Sequence, residues 1–401
     1  MQQDQSLFPQ DEQVVLEELT SDGQAAGLEI ERGHNPEGAI RAPFDPSKID
    51  VITQARTVDL LLTRLREGEL DLSPDFQRRA NIWDDDRKSS LIESMLLRIP
   101  IPSLYVSEDK EGNYTVVDGL QRLCAIAHFV DVAALNKAVR LKLTPLRLTN
   151  LQSFEYKQRT YSELPRQLQR RISETELTLH VIRASTPGDV KFNIFSRINQ
   201  GGLPLTAQEI RNAIYDGEWR PRVREMAESK EFRTATSSKI KGERMEDMEL
   251  VLRFVAHYTF DQKRPDDQNM DEFLNDFVQH RCLHWLSEKW EAIEDQYYRA
   301  LAAAPRVFGR HAFRKYFGQN QNLRPINRGL FETEMVVLAR RTEQEIKTLA
   351  ERQKDVLSKL AHLLQNNEDF SRSLLYATGR GSSSNARLSL LDAALNEVLN
   401  A

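Results

Sequence analysis

The 401 residues are 40% hydrophobic and 29% charged, carry a net charge of −5 and include only two cysteines, Cys124 and Cys282. That is enough apolar material for two domains with real cores, and too little cysteine for a disulfide framework. No stretch approaches the roughly 18 apolar residues of a membrane span, and the opening MQQDQSLFPQDEQ lacks the basic and apolar parts of a secretion signal, so a cytoplasmic protein without membrane association is expected.

Residues 1–45 are acidic and show little periodicity, which predicts a flexible tail. Residues 1–40 hold nine acids against the single base Arg32, a net of −8; against the total of −5, the rest of the chain carries +3. The body is mildly basic, without the stripe that marks a dedicated DNA binder. Within the tail, Val14–Leu19 has the length of a short helix on a partner.

Structure is expected from Thr57. Val58, Leu61, Leu62 and Leu65 form one helical face, with Thr57 to cap it and Gly68 to end it. A second helix follows Trp83, with Asp84–Asp86 at its positive end, and stops at Pro100 and Pro102. Leu104–Ser107 and Tyr114–Val117 read as two strands around a polar turn, and Asp118-Gly119 passes the second into a helix over about 120–130. Val139–Leu148 and Glu176–Arg183 are further strand candidates, with a charged helix at 164–172 between them. A helix through Val190, Ile194, Phe195 and Ile198 ends at Asn199-Gln-Gly-Gly202. Thr206-Ala-Gln-Glu209 is a capping box for the next one. From 220 onward helices are expected at 245–260, 270–303, 328–365 and 387–400, with a loop at 379–384. The class is α+β: an acidic tail at 1–45, an α/β domain at 46–215 and an all-helical domain at 216–401.

Three clusters carry chemistry. In Tyr114-Thr-Val-Val-Asp-Gly-Leu-Gln-Arg-Leu123 a strand delivers Asp118 to a turn that opens a helix. Gly119 lets backbone N–H groups approach a ligand, and the helix N-terminus favours phosphate. Arg122 adds a planar fork, Gln121 stands beside it, and Asp118 can hold Mg²⁺, orient Arg122 or position water. The plain reading of the same residues is a turn, a cap partner and a surface ion pair. The second cluster, Leu72–Trp83, holds Gln77, Arg78, Arg79 and Trp83; it reads either as positive charge with an aromatic platform or as solvated arginines with a Trp packed on the next helix. The third, Phe192–Asn212, reads as a Gly-rich linker and a capping box, with Asn199 as a C-cap.

In order, Pro74-x-Phe-Gln-Arg78, Trp83, Ile99-Pro-Ile-Pro102, Val117-Asp-Gly-x-Gln-Arg-Leu123, Phe195-x-x-Ile-Asn199 and Leu205-Thr-x-x-Glu-Ile210 resemble the GmrSD N-terminal-domain family over about residues 55–215. The resemblance implies a ParB/sulfiredoxin-like fold and a nucleotide-binding, often nucleotide-hydrolysing, component of an anti-phage or restriction system acting on DNA. Asp118, Gly119, Gln121 and Arg122 match the family's Asp-Gly-Gln-Gln-Arg signature, and Gln77, Arg78 and Asn199 match its other positions at the nucleotide. In these terms Asp118, Gln121 and Arg122 are the catalytic candidates and Asp118 the Mg²⁺ ligand. Leu120 departs from the signature: a water-placing Gln would be lost there, whereas a core-facing position would cost nothing. The chain also lacks the His and Asn pattern of a His-Asn-His nuclease, since only His311 and His362 follow residue 300.

Other patterns are weaker. His280-x-Cys282-x-His284 is half a zinc site; Cys124 with His128 is a formal nucleophile pair; Pro74-Asp75 with Glu108-x-Lys110 mimics a nuclease metal motif, but Glu108–Lys110 sits in a polar turn. No Walker-type loop is present. Two readings stand: a Mg²⁺-dependent nucleoside triphosphatase, and a non-catalytic sensor of nucleotide or DNA phosphate whose helical domain docks a protein effector. Self-association is left open.

Overall fold

A computed structural model of the chain describes all residues except 1–16, 21–22, 32–45, 73–82, 152–155, 199–204, 243, 261, 319–322 and 376–378. The chain divides into two compact units, Ile40–Tyr215 and a discontinuous one made of Met1–Ala39 with Asp216–Ala401. The first is mixed α/β around a five-stranded sheet; the second is helical.

In chain order the strands are β1 (Glu17–Leu19), β2 (Ala25–Glu29), β3 (Val51–Thr57), β4 (Leu70–Asp71), β5 (Leu104–Glu108), β6 (Tyr114–Asp118) and β7 (Glu176–Ile182). The helices of the α/β unit are α1 (Val58–Glu67), α2 (Asp85–Leu96), α3 (Leu120–Val130), α4 (Val132–Val139), α5 (Arg166–Ser173), α6 (Gly188–Ile198) and α7 (Ala207–Ile214). Its sheet runs β3-β7-β5-β6-β4, with β5 parallel to β7 and β4 parallel to β6. Alternation along β7 puts Leu177, Leu179 and Val181 into the main core with Leu61, Ile92 and Ile126. Removing that much apolar surface from water is the chief favourable term holding the unit together. On the opposite face, Val117 and Ile182 lie beneath Phe195 of α6 and Ile210 of α7.

The local signals at element ends work as expected. Thr57 caps α1 and Gly68 closes it at φ +82; Asp84 caps α2; Thr206 and Glu209 form the capping box of α7. The β5–β6 turn is tied by Asp109 Oδ1, which accepts from Glu111 N and Asn113 N.

Several expectations are corrected. β3 is a full strand before Thr57, where structure was expected to begin. Its mixed Thr, Gln and Arg face hides it from a hydrophobicity reading. Val139–Leu148 is not a strand. Val139 ends α4, Pro145 cannot donate to a ladder, and the Asn136 side chain takes over, donating to Leu143 O and accepting from Leu143 N.

The acidic tail is the largest correction. Its described part, residues 17–31, is an antiparallel β1–β2 hairpin belonging to the helical unit, with no helix at Glu17–Leu19. Leu28 is fully buried and bridges Ile326, and Gly27 adopts φ +84 where a Cβ would lie 2.2 Å from Lys239 O. The acids pair with buried cations. Arg328 donates to both oxygens of Glu18 at 2.7 and 2.8 Å, and Lys315 meets Glu29 at 2.7 Å. Arg253 grips both oxygens of Glu31 at 3.1 and 2.9 Å while also pairing with Glu249. Composition counts these acids as solvated; the cations buried in the helical unit need them as counter-charges.

The helical unit contains α8 (Trp219–Glu228), α9 (Lys230–Ala235), α10 (Glu246–Thr259), α11 (Met270–His280), α12 (Ser287–Phe308), α13 (Arg328–Ala339), α14 (Glu343–Glu351), α15 (Gln353–Asn366), α16 (Glu368–Leu375) and α17 (Gly381–Asn400). All residues of α13 are buried, with α10, α12 and α17 packed on it. The long helices expected at 270–303 and 328–365 are each broken, the first after His280 and the second at Thr342, whose side chain caps α14. The loop expected at 379–384 is instead entered by α17 from Gly381. No helix among the described residues is long and apolar enough to cross a membrane.

Candidate functional site

The strand–turn–helix junction sits where the sequence puts it. β6 ends at Asp118, Gly119 is the turn, and α3 begins at Leu120. Tyr105 pairs with Asp118 but Val106 pairs with Val116, so Val117 is an inserted residue that bends the strand as it reaches the turn. Gly119 adopts φ +94, and a Cβ there would lie 2.1 Å from Leu104 Cδ2 and 3.2 Å from Arg122 Nη2. Conformation and space both demand glycine. The same residue is the N-cap of α3, so no side chain caps that helix. An uncapped first turn at the positive end of an 11-residue helix favours an anion.

Arg122 is not the outward fork that its position suggests. Its guanidinium turns back across the strand end. Nη1 donates to Pro102 O at 2.5 Å and Ser103 O at 3.1 Å, and Nη2 donates to Asp118 Oδ2 at 2.8 Å. Three of five donors therefore tie the segment entering β5 to the carboxylate leaving β6. The Arg122 side chain is 14% exposed and that of Asp118 is 34% exposed, so the carboxylate is the more accessible partner. No hydrogen bond to Asp118 Oδ1 forms among the described residues.

Gln121 lies half-buried in the first turn of α3. Leu120 packs against the main core, so the departure from the family signature fills a packing position. Gln77, Arg78 and Asn199 lie outside the described residues. Strand β4, which leads toward the segment carrying Gln77 and Arg78, runs parallel to β6 and so heads for the end of the sheet where Asp118 stands. Trp83 packs against the core and receives Arg87 over its ring at 4.7 Å, the packing role rather than a platform. A cleft of about 380 Å³ lies alongside the segment before Pro102, lined by Met95, Arg98, Pro100, Ile101, Arg171 and Thr175. It contains none of the residues predicted to touch the nucleotide, although Ile99, Pro100 and Ile101 of the Ile99-Pro-Ile-Pro102 segment line it.

The lesser candidates resolve into packing. The Cys124 thiol is pushed up to about 12, mainly by burial, which removes the thiolate a nucleophile needs. His128 bonds Thr144 O at 2.8 Å, and burial holds its pKa below the ordinary value. Glu108 pairs with Arg183 at 2.8 Å. His280 ends α11, and Cys282 and His284 fall in a separate 3-10 turn. No group of three or more potential metal ligands occurs among the described residues.

Sequence reasoning missed one feature. Across the sheet, Asp118 of β6 faces Tyr105 of β5, Tyr105 faces His180 of β7, and His180 faces Thr53 of β3. The Tyr105 and His180 rings lie 4.6 Å apart at 32°, and Thr53 Oγ1 meets His180 Nδ1 at 3.0 Å. The available signal was His180 at an outward position of an otherwise apolar alternation, Leu177-Thr-Leu-His-Val-Ile182.

Residues 59–215 match the sequence model of a family described as the GmrSD restriction endonuclease N-terminal domain. That range spans α1 to the end of α7 and includes the whole junction. No curated protein and no solved structure matches the chain.

Proposed function

Taking as premise that residues 59–215 form a domain of the GmrSD restriction endonuclease N-terminal type, we propose that the Asp118–Arg122 junction binds the phosphates of a nucleoside triphosphate and that this binding governs a restriction-type activity on DNA. The observation that carries it is Gly119. It is buried and held left-handed between Leu104 and Arg122 at the start of a helix whose N-cap has no side chain to accept from the first turn. In this reading Gly119 and the first turn of α3 receive phosphate oxygens. Arg122 holds the turn in shape and adds positive charge from behind Asp118. Gln121 adds a polar side chain at the helix start, and the resemblance assigns Gln77, Arg78 and Asn199 to the same nucleotide.

Mg²⁺ in nucleotide sites is commonly held by one or two carboxylates, with phosphate and water supplying the rest. Asp118 fits that minimum, because Oδ2 is engaged by Arg122 while Oδ1 is not. A bound Mg²⁺ would supply charge neutralisation between the phosphates. Arg122 would keep the Asp118 carboxylate oriented, and Gln121 would hold water or phosphate at the helix start. Hydrolysis then needs Asp118, Gln121 and Arg122 together.

A second reading is a sensor that binds without turnover and passes the signal to a protein effector through its helical unit. Leu120 packs against the core, so the departure from the signature falls on a packing position and weighs for neither reading. Titration of the purified protein with each nucleoside triphosphate and Mg²⁺, with phosphate release followed in parallel, tests both. Release that disappears in Asp118→Asn and Arg122→Ala supports the enzyme. Saturable binding without release supports the sensor. Absence of both in the wild-type protein overturns the phosphate site, and DNA affinity that falls steeply with salt would then be the remaining phosphate reading.

A further inference from the structure

The row Asp118, Tyr105, His180, Thr53 extends the junction across the sheet. Neighbouring strands lie about 4.7–4.9 Å apart, so Tyr105 stands about 5 Å and His180 about 10 Å along the sheet from the Asp118 backbone. The face bearing this row is only partly covered. Toward α6 and α7 it is closed, with Val117 and Ile182 under Phe195 and Ile210, and Tyr105 leaning on the edge of that cluster. Toward β3 it is open: Thr53, Ala55, Glu176 and Thr178 are exposed, and Tyr105 and His180 are half-buried. The stacked pair thus lies at the step between covered and uncovered sheet, beside the turn.

A cross-strand aromatic pair stabilises a sheet wherever it occurs. This one differs in three respects. It is in register with the signature carboxylate, it is not covered by the helices that close the rest of the face, and Thr53 fixes the imidazole at Nδ1. That hydrogen bond orients the ring and leaves Nε2 as the edge available to a ligand.

We propose that Tyr105 and His180 form the platform on which the base of the nucleotide lies while its phosphates occupy Gly119 and the start of α3; this rests on the phosphate reading above. The ligand class is a nucleoside triphosphate. Its sugar spans the one to two strand spacings between the turn and the rings. The two rings face each other at 4.6 Å, so the base stacks on the outer face of the pair rather than between them, and stacking tolerates any base because every base has a π-face.

Calorimetric titrations of the full-length protein with ATP, GTP, CTP and UTP, and with inorganic triphosphate as a phosphate-only probe, all with Mg²⁺, test this. The preferred nucleotide should bind at least about 10-fold tighter than inorganic triphosphate. Tyr105→Ala and His180→Ala should each remove about 10-fold of nucleotide affinity and leave inorganic triphosphate unchanged. Tyr105→Phe, which keeps the ring, should bind as the wild type does, and it guards against loss of fold in the alanine variants. Equal affinity for nucleotide and inorganic triphosphate in the wild type, or alanine variants that weaken both probes alike or neither, overturns the platform while sparing the phosphate site. Nucleotide binding that depends on Tyr105 without any affinity for inorganic triphosphate supports the platform and overturns the phosphate site instead. If neither probe binds the wild type, both fall.

Discussion

Two regions of this molecule hold an arginine against carboxylates, and they do so to opposite ends. In the helical unit Arg253 is 1% exposed and is met by Glu31, Glu249 and Glu332. Burial works against its charge, yet those three carboxylates more than offset it and hold its pKa above the ordinary value. In the α/β unit Arg122 is held by two backbone carbonyls and one carboxylate, and that carboxylate is a third exposed. The first arrangement has every strong partner supplied by the chain. The second leaves a partly exposed carboxylate beside a helix start that no side chain caps. A dense cluster of charge is therefore poor evidence of a binding site; what counts is the hydrogen-bonding capacity left over once the chain has satisfied itself.

Four substitutions break or sharpen this contrast. The largest effect belongs to Arg253→Met. It removes the two-pronged partner of Glu31 and one of the cations serving Glu249 and Glu332, and should cost about 3–5 kcal/mol, read as a lowered urea midpoint with loss of amide protection in residues 25–29. Gly119→Ala comes next. The left-handed backbone and the approach to Leu104 should together cost about 1–3 kcal/mol, and nucleotide affinity should be lost even at temperatures where the variant stays folded. Asp118→Asn should separate stability from function. Its partly exposed pair is worth no more than about 1 kcal/mol in unfolding, whereas Mg²⁺-dependent nucleotide binding should fall by an order of magnitude or more.

Asp131→Asn is the smallest. Asp131 caps α4 at Ala134 and pairs with Arg66 at 2.7 Å. Burial opposes ionisation there, but the backbone donor and the guanidinium outweigh it and lower the pKa. A carboxylate with a lowered folded-state pKa stabilises above its ordinary value of 3.8 and loses that contribution as pH falls through the folded value. The asparagine keeps the cap acceptor, so wild type and variant should differ by roughly 0.5 kcal/mol at pH 7 and converge as pH falls from 3.8 through the lowered folded-state value.

Much of the α/β unit was legible because its signals are local. Alternation in Tyr114–Val117, the Asp-Gly turn and the Thr206–Glu209 box each act within a few residues, and the structure reproduces them. The discontinuous unit was not legible, because the partners that order residues 17–31 stand 222 to 310 positions away. Nothing local to Asn327 or Arg328 points to their partners. In the structure Asn327 caps α13 and donates to Glu29, and Arg328 grips Glu18. The site was legible in identity rather than arrangement. Spacing places Arg122 one turn from Asp118, but the direction of its guanidinium depends on the Pro102 and Ser103 carbonyls, which belong to another strand's approach. Tyr105 and His180 were missed for the same reason: only sheet register brings them beside Asp118.

The pairing of Glu18 with Arg328 spans 310 positions. On a ribosome the β1–β2 segment emerges first and its partners emerge late. At about 5–20 residues per second, roughly 15–60 s pass between the two. Throughout that interval the acidic segment has no native seat, while residues 40–215 can already fold. The helical unit can therefore close only near the end of translation, and an N-terminal fusion or a chaperone that holds the first residues would delay that closure without touching the α/β unit.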